Sequence, residues 1–146
     1  MKVSTKGRYG LRVMMELAGA YGRGPLLVGT IAERQAISGK YIHVLMGGLR
    51  SAGLVRAARG RNGGYALAKD PGEISALEVV TALEGRFAPA GCVGDASACA
   101  RSGRCAARDL WCAVAGAIDG VLGGVTLAQL AARQRALRSE PASYCI

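Results

Sequence analysis

Aromatic side chains are scarce in this chain of 146 residues, at 5% of positions, so a core has to be built from the Leu, Val, Ile, Ala and Met that dominate its 51% hydrophobic content. Histidine is scarcer still, with His43 standing alone. One imidazole and scattered acids give no Ser-His-Asp order and no paired carboxylates, and there is no phosphate loop of the G-x-x-x-x-G-K-[ST] kind, so an enzyme is not expected. No charge-free apolar run approaches the roughly 18 residues that span a bilayer, and Met1 to Lys6 lack the apolar stretch of a secretory signal. The expectation is a cytoplasmic protein with no membrane partner.

Acidic residues are nearly missing from the first half. Residues 1–70 hold Glu16, Glu33 and Asp70 against twelve Lys and Arg, whereas residues 71–146 hold seven of each sign. The whole net charge of +9 therefore lies in the first half, as expected of a module that binds a polyanion.

What is present there has a pattern. Residues 5–21 read as an amphipathic helix, with Tyr9, Val13, Leu17 and Tyr21 at four-residue spacing, Met14 and Ala18 widening the stripe, and Ser4 or Thr5 placed to cap it. Gly22, Gly24 and Pro25 end it, residues 26–28 read as extended, and Gly29-Thr30 opens a short helix over 31–36. Ser38 caps a third helix over about 39–52, closed by Gly53. Two short helices joined by a tight turn form a helix-turn-helix.

In the third helix Ile42, Leu45, Met46 and Leu49 make the inward stripe, which leaves Lys40, His43, Gly47 and Arg50 on a face able to approach base edges in a major groove. Adjacent Gly47 and Gly48 each cost roughly 1 kcal/mol against Ala, so close packing or close approach is being favoured over helical stability. Residues 54–58 and 65–68 read as strands around Arg59 to Gly64, where Asn62-Gly63 is a two-residue hairpin signal. A hairpin after a recognition helix is a wing, and Arg59 and Arg61 near its tip suit phosphates or a narrow minor groove.

The segments Ser4-Thr5-Lys6-Gly7-Arg8-Tyr9-Gly10-Leu11-Arg12, Ile37-Ser38-Gly39-Lys40-Tyr41-Ile42, Leu49-Arg50-Ser51-Ala52-Gly53-Leu54-Val55 and Arg59-Gly60 through Gly63-Gly64-Tyr65 resemble the Rrf-type (Rrf two) family, which takes in IscR-, NsrR-, RirA- and CymR-like regulators. The resemblance runs over nearly the whole chain. It implies a mainly α fold, a winged helix-turn-helix with a small β-hairpin wing plus a long C-terminal dimerisation helix. It also implies a homodimeric repressor on double-stranded DNA with a pseudo-palindromic operator. The expected DNA-contacting residues are Lys6, Arg8, Ser38, Lys40, Tyr41, His43, Arg50, Arg59, Arg61 and Asn62. The expected division is a DNA-binding domain over 1–84, a cysteine-rich sensor loop over 85–105, and dimerisation helices with a C-terminal tail over 106–146.

Ser75-Ala76-Leu77-Glu78 reads as a capping box opening a helix to about Glu84. A Gly/Ala/Ser-rich loop follows to Arg104, and Cys92, Cys99 and Cys105 stand in it or at its end in a C-x6-C-x5-C spacing. Five cysteines, an odd number in an expected reducing compartment, argue against a disulfide framework. An iron-sulfur cluster, zinc, a thiol redox switch and incidental cysteines all remain open from the residues. The family resemblance implies the cluster, of 2Fe-2S or 4Fe-4S type, sensing iron-sulfur, redox or nitric oxide status. The alternative is the same DNA-binding regulator without a cluster, controlled by a thiol switch, zinc, a metabolite or a partner protein.

The chain departs from its relatives at the fourth ligand. Arg108 stands where IscR-like members carry a His, and Arg8 where NsrR-like members carry a carboxylate from the partner subunit. Cys112, two helical turns beyond Cys105, is the candidate replacement or a small core residue, and Cys145 lies next to the C-terminus. His43 reads as a DNA contact or surface residue, not a ligand. From residue 105 to 122 Trp111, Val114, Ile118, Val121 and Leu122 form an apolar seam with small neighbours, and a last helix from 126 carries Leu127, Leu130 and Leu137. A two-fold partner is the expected cover for the seam.

Overall fold

The computed structural model describes residues 3–139. Cys145, next to the C-terminus, lies outside them. Helix α1 spans Thr5–Gly19, and the Ser4 hydroxyl caps it by accepting from the N–H groups of Lys6 and Gly7. Val13, Met14, Leu17 and Ala18 are buried, but Tyr21 is exposed beyond the helix end, so the helix is shorter than its periodicity implied. Gly22, at φ 79, turns the chain away there.

Helix α2, Val28–Gln35, starts three residues before the sequence-based start. Of the stretch 26–28 only Leu26 is strand-like, exchanging backbone hydrogen bonds of 2.8 and 2.9 Å with Tyr65, while Leu27 takes the N-cap position and Val28 enters the helix. The turn into α3, Gly39–Ser51, is made by Ala36 in the left-handed region at φ 52, and Ser38 caps α3 by accepting from Tyr41 N–H at 3.2 Å. Ile42, Leu45, Met46 and Leu49 are all sealed from solvent, as their spacing predicts.

Strands β1, Val55–Ala58, and β2, Gly64–Leu67, form an antiparallel hairpin with Val55 opposite Leu67 and Ala58 opposite Gly64. Its connection is five residues, Arg59 to Gly63, closed by Gly63 N–H on Gly60 carbonyl at 3.0 Å, and not the two-residue Asn62-Gly63 turn. The glycines at this end serve close approach instead: a Cβ on Gly64, at φ 151, would overlap the Leu26 carbonyl.

A 3₁₀ turn at Pro71–Glu73 leads to helix α4, Ala76–Glu84, which opens with the expected reciprocal Ser75–Glu78 capping box. Burial of Leu83 draws α4 against both α1 and α3, because a Cβ on Gly10 would overlap Leu83 Cδ1 and one on Gly48 would lie 3.3 Å from Leu83 Cδ2. Gly47 has open space around it. Of the two glycines, Gly48 therefore serves packing.

The segment after α4 is not an unstructured loop. It contains α5, Gly91–Gly94, and 3₁₀ turns at Ala96–Ala98 and Ser102–Arg104. Cys105 is the N-cap residue of helix α6, Ala106–Gly123. Helix α7, Leu127–Ser139, then returns to the head and packs along α1, burying Leu127 and Ala131 in the head's own core. Where the chain leaves and re-enters the head, Ala76 N–H donates to Val125 carbonyl at 2.8 Å and Leu127 N–H to Ile74 carbonyl at 2.9 Å. Among the described residues no helix is long and apolar enough to cross a membrane.

Candidate nucleic-acid interface and cysteine segment

The inward stripe of α3 fixes which residues look outward. Lys40, His43, Gly47 and Arg50 are all exposed on one side, and the wing tip presents Arg59, Arg61 and Asn62 to solvent. Lys6 and Arg8 are exposed near the start of α1. The Arg8 and Arg12 guanidinium groups stand 5.8 and 5.4 Å from the Tyr9 ring centre, and Tyr9 meets Tyr41 edge-on at 6.1 Å. Tyr41 is half-buried against the head, and the Ser38 oxygen is engaged in capping.

Two features escaped sequence reading. Tyr65, on β2, places its hydroxyl 3.0 Å from His43 Nδ1, so wing and recognition helix touch through side chains. Strand alternation put Tyr65 on one face of the hairpin but gave no sign of which helix residue that face meets. The second feature joins α1 to the end of α2. Arg12 donates to both the side-chain and backbone oxygens of Gln35, at 2.9 and 2.7 Å, and Gln35 Nε2 donates to buried Glu16 at 2.6 Å. Burial alone would raise the Glu16 pKa, but hydrogen bonds from Arg138, Gln35 and Arg34 outweigh it and hold the carboxyl below the usual range.

Each described cysteine of the C-terminal half has a defined place. Cys92 sits on α5 and is half-buried, Cys99 is exposed after a 3₁₀ turn, and Cys105 is half-buried at the head of α6. Cys112 lines a cavity of about 380 Å³ with Phe87, Val93 and Asp119, and so faces the cysteine segment. Arg108 Nε donates to the Cys92 carbonyl at 2.8 Å, which ties the segment to α6 by a hydrogen bond. Asp95 is held below the usual carboxylate range by hydrogen bonds from the Ser97 hydroxyl and N–H.

The donor chemistry suits a soft metal centre, since three thiols stand on one short segment beside Arg101, Arg104 and Arg108. The geometry does not preassemble one: among the described residues no three Cys, His, Asp or Glu side chains are gathered closely enough to hold a metal ion. Two buried polar atoms in this region, Ser102 Oγ and Asp119 Oδ1, have no hydrogen-bond partner among the described residues. Ser102 lies in the cysteine segment and Asp119 on the α6 face beside it, so among the described residues this boundary is not fully satisfied.

Comparison with known proteins matches residues 3–133 to the Rrf2 family, described as iron-dependent transcriptional regulators. The chain is 40% identical over 131 residues to the HTH-type transcriptional regulator CymR of Bacillus subtilis, covering 90% of each protein. It is 37% identical over 137 residues to the HTH-type transcriptional regulator IscR of Serratia proteamaculans, covering 94% of this chain and 83% of that one. Solved structures agree. That of CymR, the global cysteine regulator of B. subtilis, superposes with a TM-score of 0.77 at 39% identity over 91% of this chain and 98% of the other. That of T. potens IscR gives 0.77 at 34% identity over 99% and 95%. The relatives are regulators and not enzymes, and the chain belongs to the Rrf2 family of winged-helix, DNA-binding transcriptional regulators.

Proposed function

We propose that this protein is a homodimeric repressor that reads a pseudo-palindromic operator with α3 and the wing, and that its cysteine segment is the sensor. The observation that carries the reading is the exposed face of α3 bearing Lys40, His43 and Arg50, joined to the wing that carries Arg59 and Arg61 by the His43–Tyr65 contact, with the whole excess of positive charge in residues 1–70. Phosphate contacts by such residues supply affinity and register, and the helix face supplies sequence discrimination. Exposed Leu110, Trp111 and Val121 on α6 leave an apolar strip for the second copy.

The signal taken by the segment is an iron-sulfur cluster held by Cys92, Cys99 and Cys105, with Cys112 the candidate fourth donor. Three free thiols on one short segment, the iron-dependent description of the family and the resemblance to cluster-holding members support it. When bound, the cluster supplies a centre that iron supply, oxidants or nitric oxide can change. The chain's own part is to convert segment order into head position: Arg108 anchors Cys92, and Cys105 begins α6. A coupling of about 1 to 3 kcal/mol is enough to change operator affinity 5-fold to 150-fold. Anaerobic purification followed by visible spectroscopy tests the reading. Charge-transfer absorption that disappears in each of Cys92→Ala, Cys99→Ala and Cys105→Ala is expected, and a colourless wild type overturns it.

A second reading, a thiol switch without metal, is favoured by one observation: Cys99 is a free, exposed thiol, open to oxidants, on a segment where no three donors gather closely enough for a metal among the described residues. It expects a colourless protein whose operator binding changes on oxidation and recovers with reductant.

A further inference from the structure

The contact between His43 and Tyr65 has a chemical consequence for what the recognition helix can read. The phenol oxygen lies 3.0 Å from Nδ1, and the two rings meet edge-on, 5.9 Å between centres and inclined at 65°. Nε2 has no hydrogen-bond partner among the described residues, and His43 is exposed in the middle of the outward face of α3. Tyr65 is itself held firmly, because its N–H and carbonyl both bond to Leu26 and it pairs with Ala57 in the hairpin. A half-buried ring on a strand bonded along both edges is a rigid post, and an exposed imidazole on a helix is not. A groove of about 330 Å³ beside them is lined by Leu27, Ala57, Ala58 and Gly64, and among the described residues the phenol is the imidazole's one hydrogen-bond partner.

A phenol is the stronger acid of the pair and a neutral imidazole nitrogen the stronger base, so the O–H donates to Nδ1 and the ring proton resides on Nε2. We infer that Tyr65 is a positioning residue that fixes His43 with Nε2–H pointing away from the head as a hydrogen-bond donor, so that this position of the recognition helix selects a base edge that accepts: a purine N7 or guanine O6, against the amino group of cytosine. In the major groove those acceptors distinguish guanine and adenine from cytosine at one position of each half-site. The wing thereby contributes to base reading without touching a base. The inference rests on the DNA-binding reading above and adds to it which atom reads and what holds it.

His43 is the only histidine of the chain, so its imidazole nitrogens give unambiguous NMR signals in the intact protein without DNA. In wild type the Nδ1 signal is expected to be that of an unprotonated acceptor in a hydrogen bond and Nε2 that of a protonated donor, and Tyr65→Phe, which keeps the ring but removes the hydroxyl, shifts Nδ1. An unshifted Nδ1 overturns the contact. Duplexes selected by the wild type from a randomised pool then report function. Tyr65→Phe is expected to lose roughly 3-fold to 10-fold in affinity and its discrimination against cytosine at one half-site position, and Tyr65→Phe/His43→Ala to bind no more weakly than His43→Ala. In a His43→Gln background, whose amide donor does not depend on the phenol, Tyr65→Phe should change nothing. Additive losses, or an equal loss on every duplex, overturn the positioning role and leave the DNA-binding reading standing. A wild type that selects no duplex at all overturns the DNA-binding reading itself.

Discussion

Arg138 and Glu16 are 122 residues apart in the chain and 2.9 Å apart in space. The pair joins α7, the last described helix, to α1, and through Gln35 it reaches the end of α2, the first helix of the DNA-reading pair. Both arginines on Glu16 are more than half exposed while the carboxylate is 8% exposed, so the charge is buried on one side only.

Glu16→Ala is expected to cost about 1 to 3 kcal/mol in chemical denaturation, chiefly because Gln35 Nε2 is left buried without its acceptor. The released arginines return to water at little cost. Because the folded-state pKa of Glu16 is lowered, its contribution is present above the ordinary carboxylate range and is lost as pH falls through the folded value. Glu78, lowered by the Ser75 N–H and by Lys69, titrates in the same direction. Denaturation curves between about pH 5 and pH 3 should therefore be less steep in pH for Glu16→Gln than for wild type. Equal slopes would show that Glu16 carries no linked stability.

Gly47→Ala and Gly48→Ala separate packing from reading. Gly47 is exposed with open space around it, so an added methyl should raise stability by up to about 1 kcal/mol and still weaken operator binding. Gly48→Ala gains less, because its Cβ meets Leu83 Cδ2 at 3.3 Å. Thermal melts and fluorescence anisotropy on the same preparations check both. Unchanged DNA affinity in Gly47→Ala would remove that residue from the interface.

Arg59→Ala should weaken operator binding by about 1 to 3 kcal/mol with the fold intact, and binding by the wild type should fall steeply with salt. Gly64→Ala is the matching structural control. Its methyl would overlap the Leu26 carbonyl, so it should lower the melting temperature as well as affinity. A flat salt dependence for the wild type would contradict a phosphate-binding surface.

Val121 is 70% exposed on α6, whereas Ile118 is half-buried on the side that faces Phe87 and Val80. Val121→Asp therefore leaves the protomer intact and should produce monomers in sedimentation, while Ile118→Asp disturbs the protomer too. A monomeric wild type would refute the dimer.

Much of the fold is legible in the residues because local signals and burial agree there. The Ser75–Glu78 capping box and the α3 stripe ending in Leu49 each have one reading, and the structure follows it. The wing turn is different. Asn62-Gly63 satisfies a local rule, but the deciding constraint is the nonlocal approach of Leu26 to Gly64 and Tyr65. Val28 is β-branched and reads as strand, yet it enters α2 because only Leu26 finds a strand partner. Among the interface candidates, the exposed side of α3 follows from periodicity alone, but the phenol beside His43 does not, since 22 residues separate the pair and nothing in the spacing brings them together. The cysteine spacing likewise names donors without saying whether they meet.

Helix α6 ends in Gly123 and Gly124, directly before the short backbone neck that joins Ile74 and Ala76 to Val125 and Leu127. Eighteen residues of α-helix make an arm about 27 Å long, with Cys105 at its free end and the neck as its fulcrum. A tilt of about 5° carries the free end through roughly 2 Å, the scale on which a turn of backbone tightens or loosens. The gain works in both directions. In the proposed dimer, an arm held against a second copy would return a displacement of that size at the cysteines as a shift of the DNA-reading head to which its base is bonded.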